Sequence, residues 1–145
     1  MSVHLYFLAA APLKQRKKLK QFIHSLAAQE GKIIHSLNLI FCTDEYLLGI
    51  NQQYLQHDFF TDIITFDLHG DPHLPIEGEI YISLERVKEN ALSFGEKYSL
   101  ELHRVIFHGV LHLCGFKDKS LAQKSLMTQK EDYYLSQYQM FHVEH

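Results

Sequence analysis

The sequence predicts an α/β (α+β) fold, a mixed sheet of about four strands with helices packed on it. Three observations carry this. Short runs of alternating apolar and polar residues recur along the chain, and longer runs with helical spacing lie between them. Ser, Thr, Pro and Gly stand at the junctions, where helix starts and stops call for them. No linker, repeat or low-complexity stretch interrupts the series, so residues 1–145 read as one domain, long enough to bury a core. Strand order does not follow from these patterns.

The first element, SVHLYFL, alternates like a strand. That alternation, with no basic segment before it, separates it from a signal peptide. PLKQRKKLKQFIHSLAAQEG then reads as a helix opened by Pro12 and ended near Gly31, with Leu19, Phe22, Ile23 and Leu26 as its apolar stripe. SLNLIF is a second strand. Thr43 is placed to cap a helix carrying Tyr46, Leu47, Ile50 and Tyr54. IITFD and GEIYIS are strands on either side of a loop containing HGDPHLP. Ser83 and Ser99 are the expected N-caps of two further helices. Ser120 with Gln123 forms a capping-box pattern before a last helix rich in Met and Tyr.

Composition narrows the function classes. An apolar share of 46% and a charged share of 21% are those of an ordinary soluble globular chain. No apolar run approaches the ~18–20 residues a membrane span needs. Two cysteines, Cys42 and Cys114, make no disulfide framework, which points to a reducing, cytoplasmic setting. A formal net charge of −3 argues against indiscriminate nucleic-acid binding and leaves room for a local basic surface. The eleven histidines are the one oddity.

Two of them define the most informative stretch, HGVLHLCGFKD, residues 108–118. His108 and His112 are four apart on a strongly helical segment, so both imidazoles lie on one face, one turn apart. That spacing is the helical half of many zinc sites, although such pairs also occur as ordinary core or surface histidines. Gly115 permits the left-handed turn that ends a helix and sends the chain back toward the pair. Of the next residues, Lys117 and Lys119 lack a free lone pair, and Asp118 offers an anionic oxygen. The predicted metal set is His108, His112 and Asp118, one Zn2+ per chain. Three protein ligands leave a fourth position open, as catalytic sites do. Cys114 lies ~200° round the helix from His112 and is expected in the core.

At these residues the sequence resembles the YbeY family of single-domain, zinc-dependent endoribonucleases of ribosomal RNA maturation. HGVLHLCGF is similar to that family's signature, TDIITFD (61–67) to its Thr-Asp-Val-Leu-Ser-Phe-Pro segment following NQQYLQHD (51–58), and GEIYIS (78–83) to its Gly-Asp-Ile strand. The resemblance implies a small α/β fold with the metal in a cleft beside the sheet. It also implies cleavage of single-stranded RNA in ribosomal RNA processing, at the 3′ end of the small-subunit RNA, and in ribosome quality control. Asp118 stands where the family pattern has a third histidine, which lowers the charge of the metal site. Leu55 stands where many members carry an arginine suited to phosphate, with Arg104 as one possible replacement.

The resemblance implies hydrolysis through activated water or a polarised phosphoryl oxygen. Asp62 is a candidate to orient a ligand histidine through its other ring nitrogen. Thr61 and His57 are candidates to line the cleft. Glu79, Glu131 and Arg104 are the weaker catalytic candidates, and Met127 packs either beneath the metal or in the core. The run KQRKKLK (14–20) puts five positive charges into seven residues. It reads as a solvated helix face or as a phosphate-contacting patch for RNA or the small ribosomal subunit. Two alternatives stay open. A metallopeptidase shares the H-x3-H spacing but requires Glu where Gly109 stands. A non-catalytic ribosome-assembly factor would use the metal only as a brace.

Overall fold

The computed structural model describes residues 2–144. Four strands form one mixed sheet in the order β1-β2-β4-β3. β1 (Ser2–Phe7) runs parallel to β2 (Ile34–Cys42), and β2 runs parallel to β4 (Ile76–Ser83). β3 (Ile63–Asp67) closes the order as an antiparallel edge strand on β4. The parallel pairs need crossovers, which helices supply. α1 (Arg16–Gln29) follows β1, α2 (Asp44–Leu55) follows β2, and α3 (Leu84–Phe94) and α4 (Tyr98–Leu113) follow β4. α5 (Leu121–Met140) completes the fold.

The two faces of the sheet are unequal. Leu37, Leu39 and Phe41 of β2 and Ile80 and Ile82 of β4 join α1, α4 and α5 in the main core. The stripe predicted for α1 is fully buried there. Burying one such Leu, Ile or Phe contributes roughly 1.5–3 kcal/mol. The other face carries a small cluster of Cys42, Leu47 and Ile64 under α2. α4 lies almost directly on the sheet because it has no side chain at residue 109. A Cβ there would come within 2.9 Å of the Ile63 and Ile80 Cδ1 atoms. This packing holds α4 beside β3, and the groove between them becomes the cleft.

Three caps stand as predicted: the Thr43 hydroxyl accepts from the Tyr46 amide, Ser83 from Arg86, and Ser120 from Gln123 in a complete capping box. Two helix starts do not. α1 begins at Arg16 and not at Pro12, because Gln15 takes a left-handed conformation (φ 54°) that no helix can run through. Ser99 is not an N-cap. The N-cap is Lys97, two residues earlier, so α4 starts at Tyr98, and the Ser99 carbonyl bonds the His103 ring inside the first turns. β2 extends beyond SLNLIF at both ends, since pairing with β1 and β4 on its two sides sustains it.

Candidate metal centre

His108 and His112 sit on the last two turns of α4, with ring centroids 4.5 Å apart and planes at 83°. Their Nε2 atoms face each other at 3.0 Å. Asp118 Oδ2 lies 3.2 Å from the first and 3.3 Å from the second. The helix stop brings it there. Gly115 takes φ +107°, the Phe116 amide donates to the Leu111 carbonyl, and the Gly115 amide donates to His112. This double bond pattern is a Schellman motif. The same turn aims the Phe116 carbonyl at His112, whose Nδ1–H donates to it at 2.9 Å. Glu131, from α5, does the equivalent for His108: its Oε2 accepts from Nδ1 at 2.6 Å.

These partners decide the tautomers. An Nδ1 bonded to a carbonyl or a carboxylate must carry the proton, so each neutral imidazole turns an Nε2 lone pair inward. With the Asp118 oxygen, three lone pairs then converge and no protein donor lies between them. Such a cluster is repulsive until a cation or an added proton enters it. Donors held ~2.0–2.1 Å from one tetrahedral ion lie ~3.3 Å from each other. The three observed separations of 3.0, 3.2 and 3.3 Å match that spacing. The residues therefore fit a metal ion, and His108, His112 and Asp118 are the group of the described residues that converges for one. Burial alone would lower the His108 pKa. The Glu131 hydrogen bond and the charges of Glu131, Asp118 and Asp62 outweigh it, so the pKa lies above its ordinary value.

The triad opens onto a cleft of about 680 Å3 between β3, the segment after α2, α4 and α5. Thr61, Asp62, His57, Arg104 and Glu131 all line it, as does Leu55. Glu79 does not. It is on the face of the sheet opposite the metal group, bonded to the Tyr81 hydroxyl at 3.4 Å, because alternate β4 residues point away from α4. Asp62 is not the partner of a ligand histidine either. Glu131 occupies that role at His108, and the Asp62 carboxylate accepts from the Asn90 amide at 3.4 Å. Burial pushes the Asp62 carboxyl upward, partly offset by the charge of His108. Arg104 reaches the cleft with its charge already engaged: Asp132 stands at 2.8 Å, Glu131 at 3.4 Å and Glu101 at 3.8 Å. Met127 and Cys114 are buried core residues. The basic run on α1 lies outside the cleft lining, with Arg16 over the Phe7 ring and Lys18 over Tyr138.

Residues that sequence reading passed over also line the cleft: Asn51, Phe59, Thr65, Asp67 and Glu101. Glu101 is 4% exposed, and burial pushes its carboxyl up to about 7 against the pull of Arg104. Its position seven residues before His108, two turns back on the same helix face, was a usable signal. Thr65 and Asp67 share the face of β3 that Ile63 presents to α4, which alternation predicts once that face is known.

With this geometry in place, comparison with known proteins is decisive. Residues 9–139 match the family model described as Endoribonuclease YbeY. This chain belongs to that family. Endoribonuclease YbeY of Cytophaga hutchinsonii is 48% identical over 124 residues, which is 86% of each chain. The protein of the same name from Flavobacterium psychrophilum is 48% identical over 132 residues, 90% of each chain. Among solved structures, the solution structure of TM1509 from Thermotoga maritima aligns with TM-score 0.65 and 28% identity, covering 92% of this chain and 88% of that one. The YbeY match runs from before α1 into the last turn of α5, so all three segments that carry the resemblance lie inside it. Within this YbeY-family chain, position 109 also has no room for the glutamate that the peptidase alternative requires. The glutamate that such a peptidase requires would have to occupy the space of the Ile63 and Ile80 side chains.

Proposed function

We propose that this chain is a zinc-dependent endoribonuclease that cleaves single-stranded RNA in the cytoplasm, with ribosomal RNA of the small subunit as its substrate. The reading extends to maturation of the 3′ end of that RNA and to ribosome quality control. The observation that carries it is the convergence of three lone pairs, from His108, His112 and Asp118, in the cleft of a YbeY-family chain. Two imidazoles and one carboxylate favour zinc over magnesium, which prefers an all-oxygen shell. Zinc held there supplies Lewis acidity toward a phosphoryl oxygen and makes water more acidic. The chain's own contribution is orientation. Glu131 and the Phe116 carbonyl keep both imidazoles in the ligating tautomer, and α4 and β3 shape the groove that receives the strand. Asp118, in place of a third neutral ligand, leaves about one net positive charge on the site. The basic face of α1, away from the cleft, suits a separate contact with the small ribosomal subunit.

Elemental analysis of protein purified without chelator, together with cleavage of a single-stranded ribosomal RNA fragment, tests this reading. Wild type and Asp118→His should retain about one zinc per chain. Asp118→Ala should lose most of its zinc and its cleavage activity while keeping its circular dichroism spectrum. Equal zinc in wild type and Asp118→Ala would sink the ligand assignment. Zinc-replete wild type that leaves ribosomal RNA intact would favour the metal-braced assembly factor.

A further inference from the structure

We propose that the paired rings of His57 and Phe59 form a platform on which an unpaired base of the substrate stacks. The proposal deepens the endoribonuclease reading and rests on it. The two rings are stacked on each other, with centroids 5.0 Å apart and planes at 22°, and both line the cleft that holds His108, His112 and Asp118. Phe59 remains 56% exposed, so its ring is not consumed by the core. Its neighbour Phe60 is also exposed, but the Arg86 guanidinium already covers that ring at 5.2 Å.

The platform is built in advance. Asn51 is almost fully buried, four residues before the end of α2, and it holds the following segment at both ring-bearing residues. Its side-chain amide donates to the Phe59 carbonyl at 2.9 Å, and its own carbonyl accepts the His57 amide at 3.1 Å. Gln56 turns the chain with φ 56°, and Gln52 ties down Asp58 at 2.6 Å. Two stacked rings in the cleft lining, on a backbone tied down by a buried asparagine, are more than an accidental apolar patch.

Electrostatics points the same way. Among the described residues lining the cleft, Arg104 is the only lysine or arginine, and three carboxylates surround it. Leu55 stands nearby, at the position where the resemblance implies a phosphate-suited arginine. A cleft with no free guanidinium has little to offer phosphates beyond the metal site, whereas every base offers a flat π-face to an aromatic ring. A base inside a duplex is covered on both faces, so such a platform takes only unpaired nucleotides.

The test is stopped-flow anisotropy of a labelled single-stranded oligoadenosine with zinc-loaded protein, read before cleavage, beside steady-state kinetics. Phe59→Ala should weaken binding about tenfold, the size of one lost base–aromatic stack. KM should rise with kcat unchanged, and zinc content should not move. Phe59→Trp should restore affinity and Phe59→Leu should not, because leucine keeps the bulk and loses the π-face. The wild-type slope of log affinity against log salt should be no steeper than about −1.4, that of two phosphate contacts on a single strand. Unchanged affinity in Phe59→Ala, rescue by Phe59→Leu, a steep salt slope, or equal affinity for a duplex of the same length would each overturn the platform. Affinity lost in Phe59→Ala from a wild type that never cleaves would leave the platform standing and sink the nuclease reading. Cleavage by wild type with Phe59→Ala indistinguishable would do the reverse.

Discussion

At the scale of single residues, the centre is a matter of which atoms carry protons. His108 and His112 are suited to hold a metal because Glu131 and the Phe116 carbonyl each claim an Nδ1–H. Neither partner is visible from helical spacing: Glu131 is 23 residues away on another helix, and a backbone carbonyl has no sequence signature. Glu101 is a second such case, a buried carboxyl with its Oε1 lacking a hydrogen-bond partner and Arg104 at 3.8 Å. Its pKa is raised to about 7 from an unfolded value near 4.5. The folded state therefore holds a proton there that the unfolded state has already released, so stability falls as pH rises from about 4.5 to about 7. Glu101→Gln removes this dependence. In urea titrations it should gain stability relative to wild type at pH 8 and lose that advantage at pH 5. The same difference at both pH values would show that Glu101 does not titrate differently on folding.

At the scale of elements, two glycines do unlike work in α4 and its stop. Gly109 is required by contact, since α4 rests on Ile63 and Ile80. Gly115 is required by conformation: no atom lies within 4 Å of a Cβ placed there, but φ is +107°. Replacing Gly115 by alanine should cost roughly 1–2 kcal/mol from backbone strain alone. It should also weaken zinc retention, because the turn delivers both Asp118 and the Phe116 carbonyl. Denaturation and zinc titration of Gly115→Ala measure the two effects, and undiminished zinc affinity would mean the turn does not set the ligand geometry. Helix stops and, apart from Ser99, caps were legible in the sequence because Gly, Ser and Thr meet local needs. The start of α1 was not, because Gln15 takes a left-handed conformation that its identity does not announce.

At the scale of the molecule, the candidate metal group draws its side chains from α4 and from the segment leading into α5, and Glu131 ties His108 to α5 itself. A ligand that binds only the folded state stabilises it by mass action, about 4 kcal/mol at a thousandfold excess over Kd. Chelation of zinc-loaded protein should accordingly lower Tm by several degrees, with the β-sheet signal retained at 25 °C. No change in Tm on chelation would separate the metal from the stability of the fold. The cleft belongs to this scale as well, since β3, the segment after α2, α4 and α5 each contribute part of its wall.

By itself, the sequence determined the element types, most of the caps, the core stripe of α1 and the ligand candidates His108, His112 and Asp118, because periodicity, turn chemistry and donor chemistry act over a few residues. Only the tertiary structure decided the strand order, the placement of Glu79 outside the cleft, the pairing of Glu131 and not Asp62 with a histidine of the candidate metal group, and the gathering of His57 and Phe59 into the same cleft. Those outcomes depend on which faces meet across the core, and packing between distant segments settles that.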